Sequence, residues 1–81
     1  MADPVIQVIK SGDEHQDQKW LTLEGSIPGT PVVKRRSINT AALVSGDLTL
    51  EGEVAALTAD VEEYAARWVA VQRALAALGN S

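Results

Sequence analysis

The chain has 81 residues, no cysteine, one histidine and a net charge of −4. A chain of this length forms one small domain at most and buries only about 60% of its unfolded surface. The lack of cysteine excludes disulfides and thiolate metal sites, and with a single histidine a structural zinc site is nearly excluded as well. Small domains without such cross-links commonly depend on oligomerisation.

Charge and hydropathy argue against nucleic acid and membranes as partners. Eleven acidic residues outnumber seven basic ones, so nucleic acid and anionic lipid are repelled except at a local basic patch. The longest apolar run is far shorter than the roughly 20 residues that a membrane span needs. Residues 1–4 show neither the basic nor the apolar segment of a signal peptide, so we expect synthesis in the cytoplasm.

Two short segments predict an N-terminal β-hairpin region over residues 1–25. Val5–Ile9 is rich in β-branched residues, and Trp20–Leu23 is a second apolar segment that ends at Gly25. The polar residues 11–18 between them predict a long hairpin tip. A lone hairpin is marginally stable in water, so we expect Trp20 to anchor it in a subunit interface.

Residues 26–47 predict an extended linker that docks on another protein. Two prolines exclude regular helix at its start, and we interpret residues 31–44 as extended or irregular. A short helix over residues 40–44 is the open alternative, and the sequence does not decide whether residues 37–50 are strand or helix. Together with the anchoring tryptophan, the one basic cluster of the chain gives the candidate docking residues: Trp20, Lys34, Arg35 and Arg36.

A five-residue word occurs twice, as Leu21–Gly25 and as Leu48–Gly52. If the repeat has a structural meaning, residues 47–50 form a short strand and the helix that follows begins near Gly52 or Glu53. If the repeat is chance, Asp47 caps a helix that begins at Leu48, and Gly52 inside it costs about 1 kcal/mol.

The region 48–81 predicts one long helix, most clearly over residues 53–78. These residues are rich in alanine, with acidic residues early and arginines late, as the helix dipole favours. Glu63 and Arg67 form a favourable pair four residues apart. Gly79-Asn80 predicts the end of the helix.

An apolar stripe runs along this helix at alternating spacings of four and three residues, which is typical of a coiled coil. Its bulky aromatic members and flanking alanines favour three helices over two, so a parallel trimer is predicted, with a dimer next. An antiparallel pair would instead match Asp60 with Arg67. The alternative is a compact monomer whose own hairpin covers the stripe, but a five-residue strand of about 17 Å would cover less than half of it. The members of the apolar stripe are Leu50, Val54, Leu57, Val61, Tyr64, Trp68, Val71, Leu75 and Leu78.

Catalysis and cofactors are not predicted. His15 lies among acidic residues at 13–17, but adjacent positions in a loop lack the spacing of a preorganised metal site, so we interpret them as a solvated turn. No nucleophile elbow, phosphate-binding loop or dinucleotide fingerprint is present in the sequence. We therefore predict no enzymatic activity, no metal site and no cofactor.

Gly46, Asp47, Leu48, Thr49 and Gly52 form a word within residues 38–54. This stretch resembles short repeats in trimeric tail-fibre and spike proteins of bacteriophages. In those proteins a similar word alternates strand and turn, often beside a trimeric coiled coil. The resemblance covers under a quarter of the chain and implies a virion structural subunit in which three chains intertwine.

The predicted fold is therefore α+β: a β-hairpin, an extended proline-rich segment and a C-terminal helix in an oligomeric coiled coil or helical bundle. The predicted function is a non-enzymatic homo-oligomeric structural protein of a bacteriophage virion, as a fibre base, spike or capsid decoration. Its predicted partners are its own copies and a larger protein assembly. Two alternatives are an adaptor that binds a partner helix and a small oligomeric nucleic-acid-binding regulator that uses Lys34–Arg36.

Overall fold

The computed structural model describes residues 2–12 and 20–79. It contains the strands β1 (Val5–Gly12), β2 (Trp20–Ser26) and β3 (Val33–Asn39), followed by the helices α1 (Thr40–Ser45) and α2 (Leu50–Gly79). The predicted α+β class and the long C-terminal helix are confirmed. His15 and most of the predicted hairpin tip lie outside the described residues.

The three strands form an antiparallel sheet in the order β1-β2-β3. The predicted N-terminal hairpin is confirmed, since β1 pairs with β2 from Val5 opposite Ser26 to Gly12 opposite Trp20. The pairing register shifts between Val8 and Lys10, where β1 is bulged.

The expectation of a linker over residues 26–47 is wrong for its central part, because Val33–Asn39 is a sheet strand, β3, paired with β2 along its whole length. Extended backbone was expected here, but the strand has only two β-branched or apolar residues, Val33 and Ile38, too few to indicate the alternation of a paired strand. The open alternative of a short helix is realised as α1.

A tight turn at Ile27–Thr30 joins β2 to β3 and explains the prolines that suggested a linker. The Thr30 N–H donates to the Ile27 carbonyl at 3.2 Å, and Gly29 has a φ of 81°. Proline followed by a residue of positive φ is the pattern of a type II turn. Pro28 therefore reverses the chain inside a hairpin.

Thr49 starts α2, and the earlier expectations of Asp47 as the cap and of a strand over residues 47–50 are wrong. The Thr49 hydroxyl accepts from the Gly52 N–H at 3.1 Å, and its carbonyl accepts from the Glu53 N–H at 3.0 Å. These are the hydrogen bonds of a helix N-cap. The repeated word lies in a central strand in its first copy and across a helix start in its second, so the two copies share no conformation.

The core lies between the sheet and one face of α2. Gly25 marks the closest approach of the two layers, because a Cβ atom there would lie 2.6 Å from Val61 Cγ2 and 3.2 Å from Leu57 Cγ. Only a residue without a side chain allows the helix to lie this close to β2. The buried residues are Leu23, Ile27, Val32, Ile38, Leu57, Val61 and Ala65.

The helix is longer than the sheet that covers it. At 30 residues α2 is about 45 Å long, whereas the seven residues of β2 span about 23 Å. The molecule measures 57 × 23 × 16 Å with a radius of gyration of 16.4 Å, against about 12 Å for a compact domain of this length. One end of α2 therefore projects beyond the sheet.

Candidate association surface on α2

The sheet divides the apolar stripe into a covered and an exposed part. Leu57 and Val61 are fully buried against the sheet, and Val54 and Trp68 pack against the same core. Four of the nine members of the stripe are thus covered within the chain, as in the monomer alternative, although by three strands instead of a hairpin.

The remaining members of the stripe are exposed. In the C-terminal part of α2 the exposed fractions are 53% for Val71, 56% for Leu75 and 73% for Leu78. Tyr64 and Leu50 are exposed to 43% and 46%. Exposed apolar patches are typical of interaction surfaces.

We call residues 70–79 of α2 the projecting segment, because every residue in it is exposed. It has about three helical turns, and isolated helices shorter than about 12–15 residues are marginal in water. Its large apolar side chains, Val71, Leu75 and Leu78, lie within one half of the helix surface, with Arg73 on the opposite half. A partner on the apolar side would therefore both bury Val71 and Leu75 and stabilise the helical conformation.

Charge is distributed unevenly along α2. Its first half, through Glu63, carries five acidic residues and no basic one, whereas the second half carries Arg67, Arg73 and no acidic residue. The predicted pair of Glu63 and Arg67 is present at 3.5 Å, with both side chains largely exposed. The side-chain charges of α2 are therefore negative near its N-terminus and positive near its C-terminus, whereas the backbone dipole is positive at the N-terminus and negative at the C-terminus.

The basic triplet is split between the two faces of β3. Arg35 points away from the helix and pairs with Glu24 at 3.0 Å. Arg36 faces the helix, where its Nε donates to Glu53 Oε1 at 2.7 Å and its Nη1 lies 3.9 Å from Asp60. The alternation of a strand thus prevents the triplet from forming one basic patch.

Arg36 ties the sheet to the helix. The hydrogen bond to Glu53 raises the pKa of Arg36 above its ordinary value, so the guanidinium stays charged at any pH at which the protein is studied. The Arg36 side chain is 36% exposed against 62% for Arg35, which gives the Arg36 pair more weight than the Arg35 pair.

Lys34 also faces the helix, and its Nζ lies 5.6 Å from the centre of the Tyr64 ring, at cation–π distance. The same two residues line a shallow depression of about 150 Å³ together with Asp60, Glu63 and Arg67. Two acidic and two basic groups make its charge balanced. This depression lies beside the apolar stripe, where the covered part of α2 meets the exposed part.

Trp20 lies at the opposite end of the sheet from the projecting segment. It pairs with Gly12 and Asn39 and is 42% exposed. Strand alternation places it on the same side of the sheet as Arg35, whereas Lys34 and Arg36 face the helix. The four candidate docking residues therefore do not form one surface.

Sequence reasoning missed the residues that join β3 to α2. Lys34, Arg36 and Ile38 alternate at a spacing of two, which is the signal of one strand face, but two of the three are charged. Ala65 is buried in the same core as Leu57 and Val61, although the heptad assigns it to a flanking position. The sheet therefore contacts α2 along a line that is slightly rotated around the helix from the predicted apolar stripe.

Metal ligands and membrane spans are not found in the described parts of the chain. Within residues 2–12 and 20–79 no group of three or more histidine, cysteine or acidic side chains is placed to hold a metal ion. Neither helix of the described ranges has the length and hydropathy needed to cross a membrane. Comparison of the chain with protein-family models, curated proteins and solved structures found no match.

Proposed function

We propose that this protein is a non-enzymatic structural protein that forms homo-oligomers through the exposed part of the apolar stripe. The observation that carries the proposal is the exposure of Val71 and Leu75, each above one half, on a helix end that extends past its own sheet. Burying one such side chain contributes about 1.5–3 kcal/mol. Several of them, contributed by each copy, supply the free energy of a stable association.

The concrete form of the proposal is a bacteriophage virion component, as a fibre base, spike or capsid decoration. The resemblance of residues 38–54 to tail-fibre and spike repeats supports it. Gly46 ends α1 and Thr49 caps α2, so the shared word joins two helices here, whereas in those proteins it alternates strand and turn; the support comes from its sequence. We propose that the sheet, with Trp20 and its outer face, contacts the larger assembly.

A trimer was predicted because Tyr64 and Trp68 are bulky members of the apolar stripe. Trp68 is half-buried and packs against the chain's own core, so part of its bulk is accommodated within one molecule. This weakens the preference for three helices over two. Sedimentation equilibrium of the purified chain determines the number of copies.

Sedimentation equilibrium of the purified chain, with Leu75→Asp as the interface variant, tests self-association. We expect the wild-type chain to have an oligomer mass and Leu75→Asp to have the monomer mass, because a buried carboxylate without a partner is costly. Ala70→Asp is the matched control, since it adds the same charge to the projecting segment on the side away from Leu75. It should leave the oligomer intact.

A wild-type chain that is monomeric at all concentrations would refute the proposal. It would favour the adaptor alternative, in which a helix of another protein covers the stripe. The nucleic-acid alternative has less support, because Arg35 and Arg36 are both paired with carboxylates of the same chain.

A further inference from the structure

We infer that the surface on α2 is covered by a second copy of the same helix running antiparallel, in a dimer with a two-fold axis near Val69. This inference rests on the proposed self-association and adds its geometry. The axis brings Trp68 against Val71 of the second copy and Tyr64 against Leu75 of the second copy, and each contact occurs twice. Tyr64, Val71 and Leu75, which are exposed in one copy, become covered.

The position of the sheet disfavours the parallel arrangement. Leu57, Val61 and Ala65 are buried beneath the sheet, so the sheet occupies the side of α2 that carries the apolar stripe in the first half of the helix. Packed helices lie 8–10 Å apart, which leaves no room for a sheet between them. In a parallel pair both sheets lie at the same level beside the seam and force the helices apart, whereas an antiparallel pair places them at opposite ends.

Charge complementarity favours the same orientation. In a parallel pair the five acidic residues of one helix lie beside the same five of the other, and Arg67 lies beside its own copy. In the antiparallel pair Glu62 and Glu63 of each helix lie within about one turn, along the axis, of Arg73 of the other. The backbone dipoles also oppose each other in this orientation, so both electrostatic contributions are attractive.

The depression beside Tyr64 gives the end of the second helix a place to pack. With the axis near Val69, the last turn of the second helix lies beside the edge strand β3, next to the depression of about 150 Å³ lined by Lys34 and Arg67, while Val61 stays covered by its own sheet. The Lys34 ammonium then lies near the C-terminal carbonyl groups of the second helix. Cations are favourable at that end of a helix.

The antiparallel dimer and the predicted trimer exclude each other. Three identical chains around a three-fold axis are parallel, whereas a two-fold axis across the helices reverses them. The mass of the oligomer therefore tests how many copies associate, and the direction of its helices tests the antiparallel arrangement.

Fluorescence energy transfer between single cysteines tests the direction, because the chain has no cysteine of its own. Ala59 and Ala76 are exposed positions of α2 and accept a cysteine and a dye without loss of packing. One mixture contains donor on Ala59→Cys chains and acceptor on Ala76→Cys chains. The other contains donor and acceptor both on Ala59→Cys chains.

In the antiparallel dimer the Ala59 and Ala76 positions of different copies lie within about 10 Å along the axis, and the two Ala59 positions lie about 30 Å apart. We therefore expect stronger transfer in the first mixture than in the second. The reverse order, or a mass of three chains, would overturn the antiparallel dimer and leave self-association standing. A monomer mass for the wild-type chain would overturn both.

Discussion

The two halves of α2 carry the same apolar repeat in opposite surroundings. Leu57 is fully buried beneath the sheet, whereas Leu75, at an equivalent side of the helix, is 56% exposed. The first half obtains its stability from contacts within the chain, whereas the second half exposes Val71, Leu75 and Leu78 to solvent. Substitutions in the first half should therefore affect folding, and those in the second half should affect association.

The largest effect is expected from removing a side chain from the covered half. Leu57→Ala should lower the free energy of unfolding of the monomer by about 2–5 kcal/mol, because it removes a buried side chain and leaves a cavity. Urea denaturation followed by circular dichroism measures this change. The matched variant Leu75→Ala should lower it by less than about 1 kcal/mol when measured below the concentration of association. Equal losses in the two variants would show that the halves are not distinct.

A somewhat smaller effect is expected at the contact between β2 and α2. Gly25→Ala should destabilise the monomer by about 1–3 kcal/mol, because the new Cβ would lie 2.6 Å from Val61 Cγ2. Combining it with Val61→Ala, which removes that methyl group, should cost less than the sum of the two single variants. Strict additivity in denaturation experiments would mean that the two layers lie further apart than described.

The smallest effect is expected from the ion pairs of β3. Arg36→Ala should lower the free energy of unfolding by less than about 1 kcal/mol, and Arg35→Ala by less still, because the Arg35 guanidinium is more exposed. Salt titration should reduce both differences. A larger loss for Arg35→Ala than for Arg36→Ala would contradict the proposed link between sheet and helix.

The contribution of Arg36 should not depend on pH on the alkaline side of neutrality. Its pKa is raised in the folded state, so the stabilisation is present at all pH values below the unfolded-state pKa and is lost only as the pH rises through the folded-state value. The difference in unfolding free energy between wild type and Arg36→Ala, measured from neutral pH to pH 10, should therefore stay constant. A decline of this free-energy difference between neutral pH and pH 10 would indicate that the titration of another group causes it.

The sequence was sufficient for the elements whose patterns are local. The β-branched residues of Val5–Ile9 predicted β1, and the alanine-rich heptad predicted α2 almost to its ends. It was insufficient for β3, because two of the residues that face the helix are Lys34 and Arg36. Charged side chains on an inner face look like surface residues until the acidic groups that pair with them, Glu53 and Asp60, are known.

The candidate site was only partly predictable for a related reason. The heptad identifies the apolar side of α2, but it places both Leu57 and Leu75 on that side and does not distinguish them. Nothing in the local pattern shows that Gly25 lets the sheet approach the first of these residues, or that the sheet ends before it reaches the second.

By itself the sequence determined the period, the length and the apolar side of the helix, because these depend on the spacing of residues along one element. Only the tertiary structure decided which part of that side is covered, since coverage depends on the relative lengths of a sheet of about 23 Å and a helix of about 45 Å. The mismatch leaves Val71, Leu75 and Leu78 exposed, and the proposed association begins there.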